Sequence, residues 1–302
     1  MEWKSHLAVA FVSVMILVCS LMAHSQVSFF QPPTFAGSGG NFFVADFNGD
    51  GQPDILSGDG TMNLGNGDGT FTQGTAVTGG ALAVADFNGD GKPDVLQQGT
   101  GTLLVLLGKG DGTFQAPISS PSNANLLLPA ATDLNGDGKA DAIGIFNNAL
   151  LVYIGKGNGM FASGVSYDLG SSSEVAAALS FGDFNGDGTT DIAVTMSGSL
   201  GAGLELVWLS NGDGTLQAAK SSVSINVPKY AAVGDFNGDR KLDLAISNDP
   251  SSCGSFGGCG VSILLGNGDG TLQMPTAVIV PSGDVSGGGP ERRWQGGPDF
   301  PG

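Results

Sequence analysis

Histidine is almost missing from this chain of 302 residues: there are two, His6 and His24. Both lie within the first 25 positions, so from Gln26 onward no imidazole exists to act as general base or triad member. No GxSxG, P-loop or HExxH pattern offers another route to catalysis, and an enzyme is not expected. Basic residues are scarce too. Eleven Lys and Arg face 28 Asp and Glu, for a formal charge of −17. So few scattered cations cannot neutralise a run of phosphates, which excludes nucleic acid as a partner. Cysteine occurs three times. Cys19 sits in the first apolar run, and Cys253 and Cys259 flank a glycine-rich segment, "CGSFGGC". With no histidine and no second cysteine pair nearby, zinc is a poor reading of these two. In an oxidising compartment they are expected to close a small disulfide loop.

Long apolar runs are limited to one, Leu7 to Met22. Lys4 precedes it and Ala23-His24-Ser25 follows it, with small residues at the −3 and −1 positions of a cleavage after Ser25. Residues 1–25 therefore read as a signal peptide. The run is short for a membrane span and is interrupted by Ser13 and Ser20, so no span is expected after cleavage. The mature chain begins near Gln26 and is expected to be secreted, periplasmic or at the cell surface.

What the chain has in excess is glycine, 52 residues, beside a hydrophobic content of 41%. There is no G-X-Y period, and the glycines fall between short apolar runs, so they act as turn residues between ordered segments. The chain also repeats itself. "DFNGDGQPD" at Asp46 returns with variations at Asp86, Asp133, Asp183 and Asp235, at intervals of 40, 47, 50 and 52 residues. A second signature follows each time: "LGNGDGTFT" at Leu64, "LGKGDGTFQ" at Leu107, "IGKGNGMFA" at Ile154, "LSNGDGTLQ" at Leu209 and "LGNGDGTLQ" at Leu265. Around these lie runs of strand length and composition, such as "ALAVA" (81–85), "DIAVTM" (191–196), "TLLVLL" (102–107) and "TFQAPI" (113–118). No helical period appears after Gln26. Four short antiparallel strands per unit, repeated in tandem, describe an all-β fold, a β-propeller of four-stranded antiparallel blades with five blades visible over 26–280. The second signature becomes the hairpin before the fourth strand, its Asp serving the turn. Trp208 falls in an apolar strand and is expected in the core. "FFQPPTFA" (29–36) resembles a further fourth strand, and 281–302 is a Gly/Pro-rich tail without repeat signal.

The acidic loops place oxygen side chains at positions 1, 3, 5 and 9. These are Asp46, Asn48, Asp50 and Asp54; Asp86, Asn88, Asp90 and Asp94; Asp133, Asn135, Asp137 and Asp141; Asp183, Asn185, Asp187 and Asp191; and Asp235, Asn237, Asp239 and Asp243. Alternate residues of a curled loop turn inward, and the position 7 carbonyls of Gln52, Lys92, Lys139, Thr189 and Lys241 add a further donor. An all-oxygen set of this kind suits Ca²⁺, about one per repeat and up to five. The bidentate Glu and flanking helices of an EF-hand are missing. These loops hold 15 of the 28 acids, and five divalent ions would bring the charge from −17 to about −7. The plain alternative is a set of Asx-turns. Arg240 replaces glycine at position 6 of the fifth loop, which is expected to strain that turn and weaken that site.

The pattern D-x-N-G-D-G-x-x-D before a strand, followed by L-G-x-G-D-G-x-F, resembles the FG-GAP/VCBS repeat. That repeat forms the blades of integrin α-subunit propellers and occurs in many secreted bacterial proteins. Phe181-Gly182 carries the Phe-Gly pair and Ala116-Pro117 an Ala-Pro remnant, and the resemblance spans about 40–280. It implies calcium in the blade loops and a surface or adhesive role. Because family propellers commonly have seven blades, five units imply a five-bladed ring, an open arc or part of a larger ring. The expected partner is an extracellular protein or cell-surface glycan. A glycan-binding lectin is the alternative, and a polysaccharide hydrolase or lyase would have to draw on acids outside the loops, namely Asp59, Asp168, Glu174, Glu205 and Asp249.

Overall fold

The computed structural model describes residues 41–279, apart from 123–124, 171–173, 199–201, 226–227 and 249–259. The expected signal peptide (1–25), the strand-like 29–36, the Cys253–Cys259 disulfide and the tail (281–302) lie outside the described residues.

Among the described residues there are strands, turns and loops but no helix. Twenty strands form five four-stranded antiparallel sheets, the blades of a five-bladed β-propeller. Blade 1 consists of β1 (Phe42–Ala45), β2 (Asp54–Ser57), β3 (Met62–Gly65) and β4 (Phe71–Gln73). Blade 2 follows with β5 (Ala83–Ala85), β6 (Asp94–Gly99), β7 (Thr102–Leu106) and β8 (Ile118–Pro121). Blade 3 is β9 (Leu127–Thr132), β10 (Asp141–Phe146), β11 (Ala149–Tyr153) and β12 (Val165–Asp168). Blade 4 is β13 (Glu174–Gly182), β14 (Asp191–Gly198), β15 (Ala202–Trp208) and β16 (Lys220–Ile225), and blade 5 is β17 (Pro228–Gly234), β18 (Asp243–Asn248), β19 (Gly260–Leu264) and β20 (Thr276–Ile279). Neighbours in sequence pair in space throughout, because each connection is short enough to be a hairpin.

The register ties the repeat to the sheet. Position 9 of every acidic loop opens the second strand, as in Ala45↔Asp54 and Gly182↔Asp191, so the loop is the hairpin joining the first two strands. The fourth strands differ from expectation. "TFQAPI" forms only a single bridge, Gly108↔Phe114, and the strand proper begins at Ile118. Pro117 has no N–H for a ladder, and the Phe114 ring turns away to meet the neighbouring blade. The same offset moves the last strand from the expected 271–280 to Thr276–Ile279.

Blades stack face to face, so the middle strands bury both faces, and β14 is buried from Asp191 to Met196. Four apolar clusters fill the four seams between consecutive blades. Leu56 and Met62 meet Val95 between blades 1 and 2, and Leu103 meets Ala142 and Tyr153 between blades 2 and 3. Val152 meets Met196 and Trp208 between blades 3 and 4, and Val207 meets Leu244 and Leu264 between blades 4 and 5. Trp208 is 2% exposed, a core residue as expected. Edge-on ring pairs add to two seams, Phe47 with Phe114 at 6.1 Å and Phe87 with Phe161 at 5.7 Å, a geometry worth about 0.5–1.5 kcal/mol beyond area burial.

Candidate metal centre

Each acidic loop is wound by its own side chains. In the first, Asp46 Oδ1 accepts from the Gly49 N–H (2.8 Å) and the Asp50 N–H (3.2 Å), and its Oδ2 accepts from the Gly51 N–H (2.8 Å). Asn48 Oδ1 accepts from the Asp50 N–H at 3.0 Å, and Asp50 Oδ1 from the Gln52 N–H at 2.8 Å. Asp86, Asp133, Asp183 and Asp235 make the same bonds in the other four loops. The result is a ladder of Asx-turns that gathers positions 1, 3 and 5. It needs positive φ at position 6, where Gly51 has +81° and Gly188 +85°. Arg240 adopts +66° at the same place in the fifth loop, and its N–H still reaches Asp235 Oδ2 at 2.8 Å. The left-handed conformation costs a side-chain-bearing residue about 1–2 kcal/mol, partly offset in glycine by its larger unfolded-state entropy. Arg240→Gly is therefore expected to stabilise the protein by about 0.5–1 kcal/mol in chemical denaturation with chelator present.

Position 9 does something different. Asp54, Asp94, Asp141, Asp191 and Asp243 are all 0% exposed. Each carboxylate clamps two backbone N–H groups, one at position 2 of its own loop and one at the end of the third strand. For Asp94 these are Phe87 at 2.9 Å and Gly108 at 2.8 Å, and for Asp191 Phe184 at 2.9 Å and Ser210 at 2.8 Å. The position 9 side chain thus fastens the loop to the blade. Among the described residues no three acidic, histidine or cysteine side chains converge as a metal cluster. The oxygens at positions 1, 3 and 5 are brought together, and position 9 lies close enough for the charges of Asp86 and Asp90 to raise Asp94.

Burial pushes Asp94 up to about 6, against the lowering effect of its two N–H donors. Burial likewise raises Asp141 and Asp191. A carboxyl that binds its proton more tightly when folded contributes stability below its unfolded pKa and loses it as pH rises through its folded pKa. Without divalent cations, stability is expected to fall by about 2–3 kcal/mol on Asp94's account between pH 4 and pH 6, as urea midpoints measured in chelator would show. Millimolar Ca²⁺, which favours the ionised form, should reverse that slope.

The donor set fits a hard divalent cation in chemistry: oxygen only, with lone pairs left on the position 5 carboxylates, as at Asp90 and Asp239, which each accept one backbone N–H. Two loops already draw a cation to position 5, where Lys139 Nζ lies 3.2 Å from Asp137 and Lys92 Nζ 3.9 Å from Asp90. In the first and fourth loops an amide takes that place, Asn48 Nδ2 to Asp50 at 2.9 Å and Asn185 Nδ2 to Asp187 at 2.7 Å. The Asp of the second signature serves its turn as expected: Asp68 Oδ1 accepts from the Thr70 N–H (2.9 Å) and hydroxyl (2.6 Å). That hydroxyl bond, with the N–H, holds Asp68 below the usual carboxylate range.

The acids outside the loops are also accounted for where described. Asp59 and Asp168 accept from N–H groups two residues on, and Glu205, fully buried, accepts from the Thr195 hydroxyl at 2.8 Å. What sequence reasoning missed is a set of exposed apolar side chains on the first strands: Phe42, Val44, Leu127, Val175 and Tyr230, each between 59% and 72% exposed. Four of them, all but Tyr230, border two of the shallow clefts among the described residues. One of about 450 Å³ is lined by Phe42, Val44, Val84, Asp86 and Lys92, and another of about 270 Å³ by Leu127, Asn147, Asn148 and Val175. A third, of about 340 Å³, is lined by Pro121, Ser122, Phe146, Tyr153 and Ser163. The alternating burial of these short strands, outward at Phe42 and Val44, was the available signal.

Comparison with known proteins agrees with the repeat. The FG-GAP-like repeat family matches three times, over residues 46–97, 86–144 and 133–194. No curated protein sequence matches the chain. Among solved structures, an Agrocybe aegerita lectin that recognises non-reducing terminal N-acetylglucosamine is similar at 22% identity and a TM-score of 0.55, over 78% of this chain and 65% of the lectin. The chain thus spans just under two thirds of that lectin's length. The Photorhabdus luminescens Tc holotoxin pore (17% identity, TM-score 0.48, 84% of this chain and 12% of that one) is also similar. So is the V. cholerae biofilm matrix protein Bap1 (16%, 0.41, 79% and 39%). At these identities the likeness is one of fold.

Proposed function

Because this chain is an FG-GAP-like repeat protein folded as a β-propeller, we propose that it is a secreted or surface-exposed, calcium-binding, non-catalytic module for protein or cell-surface ligands. The observation that carries the reading is the set of exposed apolar residues on the first strands, Phe42, Val44, Leu127, Val175 and Tyr230, the first four of which line shallow clefts. Apolar side chains grouped on exposed clefts mark interaction surfaces, whereas Asp59, Asp168 and Glu205, the described acids among those that catalysis would draw on, are committed to turns and core; Asp249 and the Glu174 side chain lie outside the described residues. Ca²⁺ at each acidic loop would be held by the side chains at positions 1, 3 and 5, with the position 7 carbonyl and position 9 nearby. It would neutralise carboxylates that otherwise repel one another. The signal-like 1–25 segment supports the extracellular setting.

Glycan recognition is the second reading, favoured by the lectin among structural neighbours and by the cleft that Phe146 and the exposed Ser163 help to line. Glycan-array and surface-protein panels, run with calcium and with chelator, separate the two. Protein or cell-surface binding lost on Tyr230→Ala supports the first, and glycan binding lost on Ser163→Trp, which would fill that cleft from an exposed position, supports the second. Turnover of a polysaccharide would overturn both.

A further inference from the structure

The second residue of each acidic loop takes part in a contact that recurs from blade to blade and fails once. Phe47, Phe87, Leu134 and Phe184 are 1–3% exposed, and each shares a seam cluster or ring contact with the Gly-rich hairpin of the following blade. The last glycine of the hairpin signature seals the joint. Gly112 donates to the Phe47 carbonyl (2.9 Å), Gly159 to Phe87 (3.3 Å) and Gly270 to Phe184 (3.1 Å). These glycines and Gly214 are buried. At three of them an added Cβ would press on the preceding blade: Ile118 lies 2.9 Å from Gly159's, Ile154 2.5 Å from Gly214's and Leu209 2.7 Å from Gly270's.

Phe236, the equivalent residue of blade 5, is 50% exposed. Gly69, the equivalent glycine of blade 1, is exposed, and a Cβ there would meet nothing within 4 Å. The two halves of one contact type therefore stand open at opposite ends of the blade series. The blade 5 loop alone carries an exposed arginine, Arg240, beside the exposed Asp235 and Asp239, while the blade 1 hairpin presents Asp68.

We propose that the exposed face of blade 5 docks the blade 1 hairpin of a second copy of this chain, head to tail, repeating the seam found four times within the molecule. Such an interface is heterologous. It leaves a hairpin free at one end and a Phe236 free at the other, so it propagates unless the rotation closes a ring.

Sedimentation equilibrium of the full chain tests this, with circular dichroism confirming that the variants fold. The expected result is mass that rises with concentration. Phe236→Ser and Gly69→Asn, the latter chosen because Asn tolerates positive φ, should each weaken self-association at least tenfold. Mixed with each other, they should form a one-to-one dimer and stop, since one keeps the hairpin and the other keeps Phe236. A monomer at all concentrations would overturn the proposal, including one in which blades 1 and 5 of the same chain meet. So would association that survives both substitutions, or a mixture that gives no dimer.

Discussion

Asp94→Ala is expected to destabilise the protein by about 2–6 kcal/mol, with chelator as well as with calcium. The side chain is fully buried and satisfies the N–H groups of Phe87 and Gly108. Its removal orphans two buried donors, each costing about 1–3 kcal/mol, and unfastens the loop from the blade. Phe87 then loses the anchor that aims its ring at Phe161 across the seam. Denaturant midpoints in the two buffers measure this directly. Asp90→Ala, at an exposed position of the same loop, is the contrast: it is expected to cost stability in calcium and little in chelator, because Asp90's bonds to the Lys92 N–H and side chain are at the surface. Equal behaviour of the two variants in chelator would mean that position 9 has no separate clamping role.

The second large effect concerns the metal itself. Withdrawing calcium is expected to lower the thermal midpoint by about 10–20 °C. A site held at a hundred times its Kd stabilises by about 2.7 kcal/mol, and 1 kcal/mol moves the midpoint of a domain this size by about 2–4 °C. Two occupied loops unfolding with the whole would suffice. Tandem blades stabilise one another through their seams, so an ion that fixes one hairpin also steadies the seam beside it. Differential scanning calorimetry with and without chelator gives the number, and magnesium should not substitute, since it prefers a tight octahedron and its own waters.

Much of this architecture was readable because the repeat writes its turns in residues with few alternatives. Asp46-Phe-Asn-Gly-Asp-Gly spells an Asx ladder in which Gly51 must take positive φ, and Arg240 betrays the one strained copy. The strands after the loops were equally plain, since β14 is an unbroken buried run. The fourth strands were not. "TFQAPI" has strand composition, but Phe114 is consumed by the seam with Phe47, and the pairing resumes only past Pro117. The dual use of position 9 was also hidden: an aspartate that clamps backbone and one that faces a cation look alike in sequence, and only burial separates Asp94 from Asp90. Nor could composition reveal that Phe236 lies open where Phe47, Phe87 and Phe184 are covered, since the four occupy the same motif position.

Calorimetric titration of the calcium-stripped protein with Ca²⁺ at neutral pH tests the central claim, that the aspartate-crowded hairpins are cation sites and more than self-satisfied turns. The account predicts saturable binding approaching one ion per loop, with the Arg240-bearing fifth loop the weakest and one equivalent lost in Asp90→Ala. Absence of any saturable heat, in a protein whose circular dichroism shows it fully folded throughout, would contradict it.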